Sequence, residues 1–124
     1  MENKELCQEK LEGIKLYNKG LKEFLDGTKL LDVHLRSAKQ EFKSAIRNFI
    51  KACELGNSNS LKKMGDIYRF GLPNNINLEG NKMFNSSLAI EYYVKAANLG
   101  NIDAMYILGN EYEKENLRYA IKYY

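Results

Sequence analysis

Apolar and polar residues alternate along this chain with helical spacing. In residues 45–53, and again in 89–97, apolar or small residues stand at i, i+4, i+7 and i+8, which places them on one face of an α-helix. Leu-Gly-Asn follows each stretch, and its glycine, Gly56 or Gly100, can adopt the left-handed conformation that ends a helix. The polar residues just beyond can cap a second helix. The pattern therefore predicts pairs of helices joined by sharp turns.

These two stretches belong to an internal repeat. Residues 45–68 and 89–112 are related by a shift of forty-four positions and are identical at nine of them. A repeat of this length is typical of stacked helical units. Gly65 and Gly109 occupy the same place inside the second helix of each copy. Because a glycine inside a helix costs about 1 kcal/mol relative to alanine, we expect both glycines to allow close contact with a neighbouring helix.

The repeated motif resembles a known family. A-I-x-x-(F/Y)-(I/V)-K-A-x-x-L-G-N followed by (M/L)-G-x-x-Y, as it stands at 45–68 and 89–112, resembles the Sel1-like repeats, which are related to tetratricopeptide repeats. The resemblance implies an all-α fold, a right-handed α-solenoid of stacked helix-turn-helix pairs. Two departures are visible. The tryptophan often found before the K-A-A run is missing, with Phe49 and Tyr93 nearby, and the third copy is cut short.

On this pattern the chain, residues 1–124, is a single domain of about six helices. The first repeat is degenerate and covers about 5–55, the second covers about 57–99, and the truncated third covers about 101–124. An array of repeats normally ends in a polar capping helix, because each unit buries its apolar face on the next. Here the chain stops in the middle of the pattern.

Helix boundaries follow from the same pattern. The first helix is predicted from Glu5 to about Leu25, with a turn and cap at Asp26-Gly27-Thr28. The apolar stripe from Leu31 to Ala52 fits either one helix of over twenty residues or a break near Arg36-Ser37.

The second half of the chain contains a predicted loop and three predicted helices. Residues 70–81 include the only proline and several asparagines and glycines, so we predict an irregular loop. The next helix should begin near Lys82 or Asn85 and end at Leu99. Two further helices are predicted, one from Asn101 to about Glu115 and a last one from near Asn116.

Composition and charge narrow the range of functions. The hydrophobic fraction of 44% and the charged fraction of 28% are ordinary for a soluble protein. A net charge of +3 is too small to argue for a nucleic-acid partner. No apolar run approaches the roughly 18 residues that a membrane span requires, and the N-terminus has no signal-peptide core. We therefore expect a cytoplasmic protein that does not insert into membranes.

The residues that could support catalysis or bind metal do not form a recognisable site. His34 is the only histidine, and its spacing from Cys7 and Cys53 indicates neither a catalytic triad nor a zinc site. Gly65 and Gly109 stand alone, without the further glycine or lysine of a phosphate-binding loop. Most of the nine tyrosines recur at helical spacing and are better explained by packing than by base stacking. We predict no enzyme, no metal and no cofactor.

The family resemblance implies where a partner would bind. In proteins of this kind, partner peptides lie along the first helix of each pair, which here is the helix that carries the packing glycine. The candidate residues therefore stand one turn around that helix from each glycine. Near Gly65 and Gly109 these are Asn59, Lys62, Asp66, Arg69, Asp103, Tyr106, Asn110 and Glu113. Tyr106 is the natural anchor, because aromatic residues dominate binding energy at interfaces. The alternative for each of these residues is a plain solvated face.

The predicted function is therefore a non-enzymatic interaction module or adaptor that binds a protein or peptide on the concave face of the repeats. One alternative is a homodimer, formed through the uncapped C-terminal helix with its Tyr119, Tyr123 and Tyr124. A second is a cell-wall or antibiotic-binding enzyme of the Sel1-like type, which would need a closed polar pocket near Cys7, His34 or Cys53.

Overall fold

The computed structural model describes the backbone of residues 2–78 and 85–123 and the side chains of residues 5–78 and 85–114. The described residues form five α-helices and one short 3₁₀ turn, with no β-strand among them, so the all-α prediction is confirmed. The helices are α1 (Glu2–Leu30), α2 (Leu35–Glu54), α3 (Ser58–Phe70), α4 (Ser86–Asn98) and α5 (Ile102–Tyr123), and the 3₁₀ turn is Pro73–Asn75. The predicted number, about six helices, is one too high for this part of the chain.

Helices α1 and α2 pack antiparallel through glycines on α1. An alanine Cβ at Gly20 would lie 2.7 Å from the Phe49 ring, and one at Gly27 would lie 3.1 Å from the Phe42 ring. Phe42 and Phe49 are fully buried, and together with alanines of α2 they form the first part of the core. The missing side chains of α1 therefore make room for the aromatic rings of α2.

The turn predicted at Asp26-Gly27-Thr28 is wrong. These residues lie inside α1, where the Thr28 hydroxyl donates a hydrogen bond to the Phe24 carbonyl at 2.9 Å. Gly27 serves packing against Phe42, so α1 continues to Leu30. The chain turns at residues 31–34 instead, slightly before the alternative break predicted near Arg36-Ser37.

The two Leu-Gly-Asn turns have the same geometry. Gly56 has φ +79° and Gly100 has φ +91°, both in the left-handed region. The amide of Asn57 donates to the Ala52 carbonyl at 3.0 Å, and the amide of Asn101 donates to the Ala96 carbonyl at 3.0 Å. This six-residue hydrogen bond defines a Schellman motif. The predicted left-handed glycines are confirmed at both sites.

The asparagine of each turn also caps the helix that follows. The Asn57 side chain accepts a hydrogen bond from the Ser60 amide at 2.8 Å, at the start of α3. The Asn101 side chain accepts one from the Ala104 amide at 2.9 Å, at the start of α5. Each cap satisfies an amide that would otherwise lack a partner within its helix. The predicted polar caps are therefore confirmed as well.

Helices α3 and α4 form the second antiparallel pair. The predicted close contact at Gly65 is confirmed, because a Cβ there would lie 2.7 Å from the Tyr93 ring. The loop that joins the two helices is irregular in its described part, residues 71–78, as predicted, and the rest of the loop lies outside the described residues. Helix α4 starts directly after Asn85, whose side chain accepts a hydrogen bond from the Leu88 amide at 3.1 Å.

Helix α5 differs from the prediction in two respects. The backbone is helical without interruption from Ile102 to Tyr123, so the two helices predicted to meet near Asn116 are one. No glycine or proline stands between Asn110 and Tyr123 to interrupt the helix, and Asn116 alone does not end it. The close helix contact predicted at Gly109 is not found among the described residues, where nothing lies within 4 Å of a Cβ built there.

Candidate partner-binding surface

Four of the eight predicted site residues surround one open depression between α3 and α5. Arg69 comes from α3, and Tyr106, Asn110 and Glu113 come from α5. The depression has a volume of about 240 Å³. Tyr106, Asn110 and Glu113 share a face of α5 because they are separated by four and three residues, which is about one helical turn. We refer to these four residues as the α3–α5 groove.

Two polar contacts hold the helices on either side of the groove. Near the helix starts, the Asn101 side-chain amide donates a hydrogen bond to the Asn59 side-chain oxygen at 3.1 Å. Further along, a guanidinium nitrogen of Arg69 lies 2.9 Å from a carboxylate oxygen of Glu111. Both residues of this ion pair are only about one-third exposed, at 31% and 35%. These two side-chain contacts link α3 to α5 on either side of the groove.

The other predicted residues do not lie in this depression. Lys62 and Asp66 form an ion pair at 2.8 Å along α3. Asp66 also accepts a hydrogen bond from the Tyr93 hydroxyl at 2.6 Å, which ties α3 to α4. Asn59 takes part in the contact with Asn101, and Asp103 is exposed in the first turn of α5, where a carboxylate is favoured by the helix dipole. The residues on α3, other than Arg69, therefore mainly stabilise the fold.

Burial changes the pKa of several side chains near these helices. Burial, together with the hydrogen bond to Asp66, raises the pKa of Tyr93 well above its ordinary value, so its hydroxyl stays protonated and donates. Burial raises the pKa of Cys53 to about 12, which makes this thiol a poor nucleophile at neutral pH. Burial lowers the pKa of Lys63, whose ammonium nitrogen lies 4.2 Å from the centre of the Phe24 ring.

Three residues at the groove were missed by the sequence reasoning. Ile107 and Lys114 line the depression, and Glu111 holds Arg69 in place. All three lie on the side of α5 next to the predicted residues, so a helical projection of α5 would have identified them as neighbours. The pairing of Glu111 with Arg69 depends on how α3 and α5 are arranged, and no local pattern in the sequence indicates it.

The residues considered for catalysis do not form a site. Cys7 lies near the start of α1 and His34 lies in the turn beyond its other end, as the N-cap of α2, so roughly 35 Å of helix at 1.5 Å per residue separates them. Cys53 lines a different depression, an open one, together with Leu61, Tyr92 and Lys95. Across the described residues, no group of three or more histidine, cysteine, aspartate or glutamate side chains could hold a metal ion.

Within the described ranges, no helix has the length and apolar content that crossing a membrane requires. Comparisons with protein-family models, curated proteins and solved structures found no match to this chain.

Proposed function

We propose that this chain is a non-enzymatic interaction module that binds a peptide or a partner protein in the α3–α5 groove. The observation that carries this proposal is the convergence of Arg69, Tyr106, Asn110 and Glu113 around one open depression. An exposed aromatic residue beside groups of both charges suits a polar peptide with an apolar anchor residue. It suits a nucleic acid poorly, because Glu113 would face the phosphates.

The architecture we propose is a right-handed α-solenoid of Sel1-like repeats. It is supported by the recurrence of one packing arrangement, in which a ring of the second helix covers a glycine of the first. Phe49 covers Gly20 in the pair α1–α2, and Tyr93 covers Gly65 in the pair α3–α4. The Schellman turns that end α2 and α4 also match in geometry. Helix α5 would then begin a third unit.

Binding would depend on preorganisation. The ion pair between Arg69 and Glu111 and the amide contact between Asn59 and Asn101 hold α3 and α5 in place, so little backbone order would be lost on binding. Tyr106 is 71% exposed and would bury a large area at the cost of only two side-chain torsions. We place the module in the cytoplasm, because both cysteines are free thiols, the state that reducing compartments maintain.

A pull-down from the native cell tests this proposal. Tyr106→Ala should reduce capture of the partner at least roughly tenfold, since an aromatic anchor typically contributes 2 kcal/mol or more. Tyr112→Ala is the matched control, because Tyr112 is an exposed tyrosine on the same helix that does not line the groove. Helix content by circular dichroism should be equal in the three proteins. Equal capture by the wild type and the Tyr106 variant would rule out the groove as the binding site.

A further inference from the structure

Helix α1 has an apolar stripe that is separate from its contact with α2. The residues of this stripe recur at alternating steps of four and three, which is the heptad spacing of a coiled coil, in which the a and d positions form the seam. By this spacing the a positions are Leu11, Asn18 and Leu25, and the d positions are Cys7, Ile14 and Leu21. We call these six residues the α1 seam.

The α1 seam and the contact with α2 lie on opposite sides of the helix. Helix α2 approaches α1 at Gly20 and Gly27, where a Cβ would meet aromatic rings of α2. Asn18 and Leu25 stand two residues before these glycines, which places them about 160° away around the helix. A further helix can therefore pack on the seam without meeting α2.

Most of the seam is exposed. Leu11 is 56% exposed, Ile14 is 47% exposed and Leu25 is 60% exposed. Asn18 is exposed as well, and Leu21 is partly buried because it also packs against the core. Single exposed apolar residues need no explanation, but a continuous row of them at heptad spacing marks an interaction surface for a helix.

Asn18 indicates which helix fits this surface. A single asparagine at an a position fixes the register and the number of helices in a coiled coil. In a parallel pair of identical helices each seam residue faces its own counterpart, so Asn18 of one copy meets Asn18 of the other. The leucines and the isoleucine also meet their own kind. The seam is thus complementary to itself when two copies lie side by side without a shift.

The residues beside the seam favour the parallel orientation. The e positions, on one side of it, hold Lys15, Lys22 and Lys29. In an antiparallel pair the e positions of the two copies face each other, so these lysines would repel. In a parallel pair each e position meets a g position of the other copy. Lys22 then lies beside Tyr17, whose ring attracts an ammonium group, and only Lys10 and Lys15 form a repulsive pair.

We propose that two copies of this chain associate through their α1 seams as a parallel pair of helices. The seam from Cys7 to Leu25 is only about 27 Å long, and an asparagine within a seam lowers its stability. The dimer therefore forms at high protein concentration and dissociates on dilution.

Dimerisation through α1 leaves the α3–α5 groove free, because no residue of the seam lines it. The dimer presents two copies of the groove and binds a partner that has two matching segments more tightly than the monomer does. The association itself depends on α1 alone and not on what the groove binds.

Sedimentation equilibrium of the full chain over a series of concentrations tests the proposal. We expect a dimer whose dissociation constant rises at least roughly tenfold in Leu25→Lys, because the pairing would bury two unpaired charges. Leu6→Lys is the matched control, since Leu6 is an exposed leucine of α1 outside the seam. Leu6→Lys and the groove variant Tyr106→Ala should dimerise as the wild type does. Circular dichroism should show equal helix content in all four proteins.

Cys7 reports the orientation of the pair. In the parallel pair Cys7 faces Cys7 of the other copy, whereas in an antiparallel pair it faces the far end of the seam. Dioxygen with a copper–phenanthroline catalyst removes two electrons and two protons from a pair of facing thiols and joins them as a disulfide. We expect a disulfide-linked dimer on a non-reducing gel, weakened in Leu25→Lys and absent in Cys7→Ser.

Three results would overturn the proposal. The first is a monomer at every concentration. The second is a dimer that Leu25→Lys leaves unchanged. If Tyr112→Lys abolished that dimer, the interface would lie on α5 instead. The third is a dimer in which Cys7 forms no disulfide under oxidation, which would rule out the parallel pairing.

Discussion

In both helix pairs of this protein an aromatic ring of the second helix packs over a glycine of the first, but the two rings differ in chemistry. In the pair α1–α2, the ring over the glycine is a phenylalanine, Phe49, and its neighbours Tyr17 and Phe24 are aromatic too. In the pair α3–α4, the ring is a tyrosine, Tyr93, and Asp66 accepts its hydroxyl hydrogen. A buried hydroxyl without a partner is costly. The glycine contact therefore tolerates either ring, provided that the tyrosine has an acceptor on the facing helix.

The pairs also share a polar feature. In each pair, one carboxylate on the first helix accepts hydrogen bonds from the second helix. Glu23 accepts from Ser44 and Asn48 in the first pair, and Asp66 accepts from Tyr93 in the second. In the first pair, however, this contact is independent of the ring that covers the glycine. The second pair combines the two functions in one side chain, so its packing and its polar contact should be lost together.

The largest effect is expected for Phe49→Ala. Phe49 is fully buried and touches two other aromatic rings, so its removal should cost about 3–5 kcal/mol of unfolding free energy. Urea denaturation followed by circular dichroism measures this cost. Ile50→Ala, at a half-exposed neighbour, is the control and should cost well under half as much. Similar losses from the two variants would show that the first pair does not depend on its aromatic cluster.

Alanine substitutions at two helix glycines should have opposite effects on stability, because one glycine is covered by an aromatic ring and the other is open. Gly65→Ala places a methyl group 2.7 Å from the Tyr93 ring and should destabilise the protein by about 1–3 kcal/mol. Gly109→Ala is the matched substitution at the open site and should stabilise it by up to about 1 kcal/mol, since alanine favours the helix. Thermal unfolding of both variants gives the two signs. Effects of the same sign would contradict the contrast between the covered glycine, Gly65, and the open one, Gly109.

A smaller effect is expected for Tyr93→Phe, which converts the second pair to the chemistry of the first. The ring remains over Gly65, but Asp66 loses the tyrosine as a donor and keeps its ion pair with Lys62, so the cost should be about 1–2 kcal/mol. Asp66→Asn should cost less in this background than in the wild type, because the hydrogen bond from the tyrosine is already gone and the ion pair with Lys62 is what remains to be lost. A double-mutant cycle from urea denaturation measures this coupling, and strictly additive losses would mean that the hydrogen bond contributes nothing.

The smallest effect on stability, and the clearest on reactivity, concerns the cysteines. With a pKa of about 12, Cys53 is thiolate in on the order of one molecule in ten thousand at pH 8. Cys7 is exposed on α1. Iodoacetamide at pH 8 should therefore label Cys7 in the folded protein and reach Cys53 only after unfolding, as read by mass spectrometry. The rate at Cys53 should rise with pH up to about 12. Equal labelling of both thiols at pH 8 would contradict this.

The same raised pKa sets a direction for stability at high pH. Because burial raises the pKa of Cys53 from 9.0 to about 12, the folded state keeps a proton that the unfolded state releases above pH 9. The contribution of this thiol is fully present below pH 9 and is lost as the pH rises towards 12. Cys53→Ala should lose less stability over that range than the wild type does.

Local chemistry explains which parts of the fold were predictable. The Leu-Gly-Asn turns were identified correctly because the left-handed glycine and the asparagine cap are decided by neighbouring residues. Gly27 was misassigned because a turn glycine and a packing glycine look alike in sequence. Only the ring of Phe42, fifteen residues away, reveals its role. The continuity of α5 was missed for a similar reason. The internal repeat suggested a break near Asn116, but no residue in the segment enforces one.

The candidate site, too, could be predicted only in part from the sequence. The choice of Tyr106, Asn110 and Glu113 on α5 came from the family resemblance, applied to the positions one turn around the helix from Gly109. The internal roles of Lys62 and Asp66 could not be predicted in this way, because they depend on Tyr93, which approaches from α4. Gly109 shows the limit most clearly, since the repeat predicts the surface but not whether this chain covers it.

Asn101 joins the starting points of α3 and α5, and this should be visible in amide hydrogen exchange. Its carboxamide oxygen accepts from the Ala104 amide, and its nitrogen donates to Asn59, so one buried side chain serves both helix starts. The first turn of a helix ordinarily frays and exchanges quickly. Here the residue that caps the first turn of α5 is itself held to α3, and this link should resist fraying of that turn. Protection at Ala104 should therefore approach that of the core and report on both helices as a single cooperative unit.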